Sequence, residues 1–317
     1  MSRANQMYSP VARVNTRLAY TALAVVSLGY IGLTLAAPIS TATRTYSLSP
    51  WAVHSLQLSV ALPIVAIWFT ALWGSLRFKQ YAEKIYSNAD GRALNVVATG
   101  LLTLVASLAI TSLIQAANPG MIAAGHAKPW TLLGEYSGVV LSVTAFGIIG
   151  RGALKLAQIV KLRGVRQGSL AALAALAVMG ILYGWFMAKN PYRLSSPDPA
   201  RYSSYYLPDW LIIATIMVPY LVVWYCGLLA VVYLRCYQKF SSGIIYRKAL
   251  SRLAAGLFAV IMASLLIQLL NALSPSLAHV GLGNILFLLY GLVIIYAVGH
   301  VLVVIGARRL SKIEEVS

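Results

Sequence analysis

The run R-A-L-N-V-V-A-T-G-L at Arg92–Leu101 returns as K-A-L-S-R-L-A-A-G-L at Lys248–Leu257, an offset of 156 residues. Worked outward, the match extends without a gap from residues 62–119 onto 218–275. Pro63 meets Pro219, Trp68 meets Trp224, Tyr81 meets Tyr237, Gly100 meets Gly256 and Pro119 meets Pro275. Twelve identities in 58 positions would be weak in a chain rich in Leu and Ala, but prolines, a tryptophan and a glycine in register strengthen it. A-L-A-V-V-S-L-G-Y at Ala22 likewise resembles A-L-A-V-M-G-I-L-Y at Ala175, with Pro38 and Pro191 at the same offset of 153. The reading is a four-helix unit duplicated in tandem.

Hydropathy says where those helices lie. Hydrophobic residues make up 60% of the chain and charged ones 10%, which fits no soluble class. Eight apolar stretches, near 18–38, 53–76, 93–117, 130–150, 170–188, 209–234, 253–273 and 280–306, are each long enough to cross a bilayer. The expected fold is therefore an all-α integral membrane protein: eight transmembrane helices as two tandem four-helix repeats. An even number of spans per unit inserts both copies in parallel orientation, related by an axis along the membrane normal. The expected division is an N-terminal segment 1–17, a first repeat 18–150, a basic linker 151–169, a second repeat 170–306 and a tail 307–317. The first stretch is too long for a signal-peptide core and has its counterpart at Ala175, so it is read as structural.

The net charge of +18 raises nucleic acid as a partner, and its distribution argues against it. Twenty of the 25 Lys and Arg fall in alternate connections, around Arg17, Arg77–Arg92, Arg151–Arg166, Arg235–Arg252 and Arg308–Lys312. That is the positive-inside pattern for a multi-pass protein of the cell membrane with both termini cytoplasmic. The basic loops then face the anionic lipids of the inner leaflet. The long outer segment 190–209, rich in Pro, Ser and Tyr, reads as a loop able to hold a protein partner. Cys226 and Cys236 are ten residues apart on one helix, about 15 Å along its axis and beyond disulfide reach.

Membrane fitting accounts for other conspicuous residues. Trp51, Trp130 and Trp210 open spans at the outer boundary, Pro63 and Pro219 are expected to kink equivalent helices, and Gly180 with Gly184 permits close helix approach.

Polar residues inside the spans are the candidates for chemistry. Glu135 is the one acid within a span, and Thr131, Glu135, Gly138 and Ser142 form a small polar stripe at helical spacing. Such a carboxyl either lines a transport path as a protonatable or cation-binding group, or bonds to a neighbour such as His126 or Lys128. Its repeat equivalents, near Leu289–Gly291, are not acidic, so no symmetric pair of acids exists. Gln115 aligns with Asn271, each four residues before its proline, and Asn284 sits early in the last span. These amides either bind helix to helix or reach a solute from both halves.

His54, His126 and His279 stand at the outer ends of even-numbered spans. An eight-span chain of two four-helix units with histidines so placed resembles haem A synthase in layout. The resemblance implies haem as cofactor, with His54 and His126 as one ligand pair and His279 as half of a second. The partner expected on span six is replaced by Ile212 and Ile213, and the family's acidic, cysteine-containing loop before span two is absent. No nucleotide loop, zinc-protease motif, nucleophile elbow or Cys-x-x-Cys occurs, which argues against an enzyme. Three function classes follow: a transporter for a small solute or ion with its path between the repeats, a non-catalytic scaffold or complex subunit, and a haem-binding or haem-modifying protein.

Overall fold

The computed structural model describes residues 15–36, 49–85, 88–123, 127–159, 165–189, 218–240, 244–277 and 282–312. They form eight helices: α1 (Thr16–Ala36), α2 (Pro50–Lys84), α3 (Ala89–Ala123), α4 (Ala127–Ile159), α5 (Val165–Lys189), α6 (Val218–Phe240), α7 (Ile244–Leu277) and α8 (Leu282–Lys312). Seven are long and apolar enough to cross a membrane, and α5 adds the shorter apolar stretch Ser169–Trp185. The protein is thus a polytopic membrane protein. The stretch expected to begin near 209 is described only from Val218 onward, and Pro63 lies inside α2. The helices overrun the expected spans, most at the basic ends.

Local chemistry sets the helix starts. Asn15 Oδ1 accepts from the Leu18 amide at 3.2 Å, and Ser49 Oγ from the Ala52 amide at 3.3 Å, with Pro50 fitting the first turn of α2. Within the apolar helices Ser27, Thr34, Thr70, Thr99, Thr103 and Thr144 donate to the carbonyl four residues back, at 2.7–3.0 Å. A hydroxyl so bonded carries its own partner into an apolar environment.

The helices pack in one pattern that occurs twice. α1 rests on α2 and α3, α2 on α3, and α3 on α4; α5 rests on α6 and α7, α6 on α7, and α7 on α8. The two sets meet where α4 packs on α6 and α8 on α2. The tightest pairs are α3–α4 and α7–α8, and glycine explains both. A Cβ on Gly100 would stand 2.8 Å from the Ile149 amide nitrogen, and one on Gly152 would stand 2.7 Å from that of Val97. In the second set, a Cβ on Gly256 would stand 2.5 Å from the Gly299 carbonyl and one on Gly306 2.8 Å from the Ala249 carbonyl. Backbones this close gain dispersion contacts that bulkier residues forbid, the main attraction between helices in lipid.

Buried residues follow the same frame. Ala93, Leu94, Val97, Ala98, Leu101, Leu104 and Val105 are buried on α3, and so are Ala249, Leu250, Leu253, Ala254, Leu257, Val260 and Ile261 on α7. Each pair is separated by 156 residues. Trp68 and Trp224 are both fully buried, and each meets a tyrosine of the first helix of its set: Tyr30–Trp68 centroids lie 5.1 Å apart and Tyr183–Trp224 centroids 5.4 Å. Tyr30 and Tyr183 are the matched ends of the Ala22 and Ala175 segments.

Candidate functional site

A cavity of about 330 Å³ lies where the two sets of helices face each other. α2 gives it Ile64, Ile67 and Trp68; α3 gives Ser107, Leu108, Thr111, Ser112 and Gln115; α4 gives Gly138 and Ser142. From the other side come Tyr220 on α6, Ser264 and Ile267 on α7, and Leu292, Val293 and Tyr296 on α8. The two walls correspond. At the offset of 156, Ile64 matches Tyr220, Leu108 matches Ser264 and Thr111 matches Ile267. At the offset of 154 that relates Gly152 to Gly306, Gly138 matches Leu292 and Ser142 matches Tyr296.

The lining is apolar with hydroxyls set into it, and among the described residues no Asp, Glu, Lys, Arg or His belongs to it. Two of its hydroxyls differ from the serines and threonines that bond to their own helix. Thr111 Oγ1 and Tyr296 Oη are buried and have no hydrogen-bond partner among the described residues. Thr99 and Thr103, one helix face away, bond to carbonyls of their own helix at 2.9 and 3.0 Å. A buried hydroxyl without a partner costs about 1–3 kcal/mol, so these two, one from each side, point to a polar occupant that supplies the bond.

The cavity occupies the part of the bundle away from the basic helix ends. Below it the halves close on each other: a Cβ on Gly74 would strike Val304, and one on Gly150 would touch the Cys226 carbonyl at 3.4 Å. At the basic end the Tyr237 and Tyr246 rings meet edge to face at 6.2 Å, with Asp90 and Tyr81 close to Tyr237. Tyr81 and Asp90 come from the α2–α3 side and Tyr237 and Tyr246 from the α6–α7 side, so this cluster joins the halves.

Of the residues singled out by sequence, Gln115 and Ser142 line the cavity. Thr131 and Glu135 lie in α4, Asn271 in α7 and Asn284 in α8, with side chains outside the described residues. By position Glu135 is one turn before Gly138. Sequence reasoning passed over Ser107, Thr111, Tyr220, Ser264 and Tyr296. The available signal was the spacing Ser107, Thr111, Gln115, one residue per turn along one face of α3.

Of the four histidines, only His54 and His300 are among the described residues. His54, near the start of α2, has Nδ1 3.1 Å from Gln57 Oε1 on its own helix. His126 and His279 lie outside the described residues. His300 is buried, and its Nδ1 donates to the Tyr296 carbonyl at 2.9 Å. α2 and α8 run in the same direction, since Ser59 meets Tyr290 and Gly74 meets Val304. His54 and His300 are therefore more than four turns apart along the paired helices, roughly 23 Å, too far to share one iron. Among the described residues no group of three or more His, Cys, Asp or Glu could hold a metal ion. Cys226 and Cys236 are free thiols. The chain matches no family model, no curated protein and no solved structure.

Proposed function

We propose that the protein is a transporter for a small, uncharged, hydrogen-bonding solute, with its path between two tandem four-helix repeats of parallel orientation. The observation that carries this reading is the cavity at the meeting of the halves, walled at matched positions by both and lined by hydroxyls with no charged group among the described residues. Membrane carriers built from repeats commonly bind at the repeat interface, where small relative movements of the halves change which side has access. The orphaned Thr111 and Tyr296 hydroxyls supply the donors and acceptors that a solute must find when it leaves water.

The basic helix ends face the cytoplasm in this reading, as the charge distribution favours. The cluster of Tyr237, Tyr246, Asp90 and Tyr81 then closes the cytoplasmic end, and the cavity lies toward the opposite face. Glu135, one turn before Gly138, stands at the approach to the cavity and is the protonatable group for coupling.

The test needs no knowledge of the solute. In a chain whose native Cys226 and Cys236 are replaced by alanine, Thr111→Cys is reconstituted in sealed vesicles and treated with a small membrane-impermeant thiol reagent from each side in turn. Transport predicts labelling from both sides. Labelling from one side alone would mean a binding pocket without passage, and labelling from neither would make the cavity a packing feature of a scaffold.

A further inference from the structure

The seam between α2 and α8 is built differently on the two sides of the cavity. Toward the basic helix ends the two helices touch directly, for a Cβ on Gly74 would stand 3.0 Å from the Val304 Cα. On the far side they are joined by a pair of hydroxyls, Ser59 of α2 and Tyr290 of α8. Ser59 Oγ donates to the Leu56 carbonyl at 2.7 Å, so its proton is committed there and Tyr290 Oη is the donor of the pair. Beside that bond the packing is loose, since a Cβ on Gly291 would meet nothing within 4 Å. The cavity wall begins just beyond it, with Ile64 on α2 and Leu292 on α8.

Pro63 stands between the bond and the wall. A proline has no N–H, so the carbonyl four residues back loses its helical partner, and that residue is Ser59. The ladder of α2 is therefore interrupted at the residue that holds the bond. Packing changes at the same point. Before Pro63 only Val53 and Ala61 of α2 are buried, whereas beyond it the buried residues run from Ile67 to Ala82. A thinly packed arm joined at a proline to a well-packed shaft swings with little loss of contact.

We propose that Pro50–Leu62 of α2 is a lid over the cavity, hinged at Pro63 and latched shut by the hydrogen bond from Tyr290 to Ser59, a role that rests on the reading of the cavity as a solute site. The two closures of the cavity then differ in kind. One side has a single hydrogen bond, and the other has the Gly74–Val304 and Gly150–Cys226 contacts. A hydrogen bond between helices in a membrane protein is worth about a fivefold change in an equilibrium, so the lid opens readily while the basic end stays shut.

The test uses the Thr111→Cys chain in sealed vesicles, with Cys226 and Cys236 replaced by alanine, and reads the rate of labelling by the impermeant thiol reagent from each face. Tyr290→Phe is expected to raise the rate from the face away from the basic helix ends about fivefold. Ser59→Ala should give the same rise and add nothing to Tyr290→Phe. Pro63→Ala, which restores the missing N–H, should lower the rate, and a rate that it does not lower would overturn the hinge. Rates unchanged by both hydroxyl variants, with labelling from both faces, would leave transport standing and overturn the latch. An equal rise from both faces would overturn it too, since the bond would then hold the whole bundle. Labelling from the far face alone, still raised by Tyr290→Phe, would end the transport reading and keep the latch. Labelling of no variant from either face would overturn both.

Discussion

The α3–α4 pair and the α7–α8 pair share a skeleton and differ in what they show to the cavity. In both, glycines let the helices touch backbone to backbone, Gly100 and Gly152 in the first and Gly256, Gly299 and Gly306 in the second, and the same seven positions carry the buried stripe. Around the cavity the first half offers Thr111, Gly138 and Ser142 where the second offers Ile267, Leu292 and Tyr296. At these three positions the first wall is small and the second bulky, and at Leu108 and Ser264 the order is reversed. Contacts that hold a helix pair together tolerate little change, because an added methylene meets backbone; residues on a cavity wall meet only the cavity. The lesson is that the symmetric part of this molecule is its packing and the asymmetric part is its chemistry.

The most damaging way to break the comparison is at the glycines. Gly256→Leu should cost more than about 4 kcal/mol and leave no folded protein on size-exclusion chromatography, because its Cβ alone would stand 2.5 Å from a carbonyl. Gly100→Leu should match it if the skeletons are equivalent. Gly147→Leu and Gly291→Leu, where nothing lies within 4 Å of a Cβ, should elute as the wild type does.

Next in size come the tryptophans. Trp68→Ala and Trp224→Ala should each lower stability by about 3–5 kcal/mol in detergent melts. Trp224 should be the costlier, since it meets both Tyr183 and Tyr220, at 5.4 and 6.2 Å. Equal losses would mean that the extra aromatic contact adds nothing.

A smaller asymmetry lies in the cations near the basic face. Lys79 is buried and donates to Thr99 at 2.9 Å, while its counterpart Arg235 is exposed and donates to Ser251. Lys79→Met should destabilise by about 1–3 kcal/mol because Glu83 then loses the cation beside it, and Arg235→Met by less than about 1 kcal/mol. A double-mutant cycle of Lys79→Met with Glu83→Gln would isolate that coupling.

The smallest expected effect is the sharpest test of the site. Thr111→Val removes an orphaned hydroxyl and should raise the melting temperature, by the equivalent of about 1 kcal/mol, in solute-free protein. Ile267→Thr, the reciprocal change on the other wall, should lower it. Stabilisation by Thr111→Val with loss of flux would separate function from folding. Unchanged stability would mean that the hydroxyl already has a partner in solution.

Much of the skeleton was legible in the sequence. The Arg92 and Lys248 runs contain the buried stripe and one glycine of each pair, because helix packing writes itself as a period that survives in a linear string. Gly152 and Gly306 were not legible as partners. Their offset is 154, two residues short of the first match, so the register is lost in the connection before α4 and α8. The cavity was half legible: Gln115 and Ser142 were singled out as polar residues in apolar spans, and Thr111 was not, because serine and threonine in such spans are usually self-bonded. Only the surroundings reveal that Thr111 is not.

The sequence by itself determined that this is a helical, multi-pass membrane protein and approximately where its described helices run. Those properties depend on composition, period and order along the chain, each of which is local. The tertiary structure alone decided that α4 packs on α6 and α8 on α2, that a cavity is left between them, and which hydroxyls there lack partners. Those depend on which faces meet, and facing is set by the fit of whole helices in three dimensions, where lipid and protein interior are nearly alike in polarity and hydropathy cannot tell one face from another.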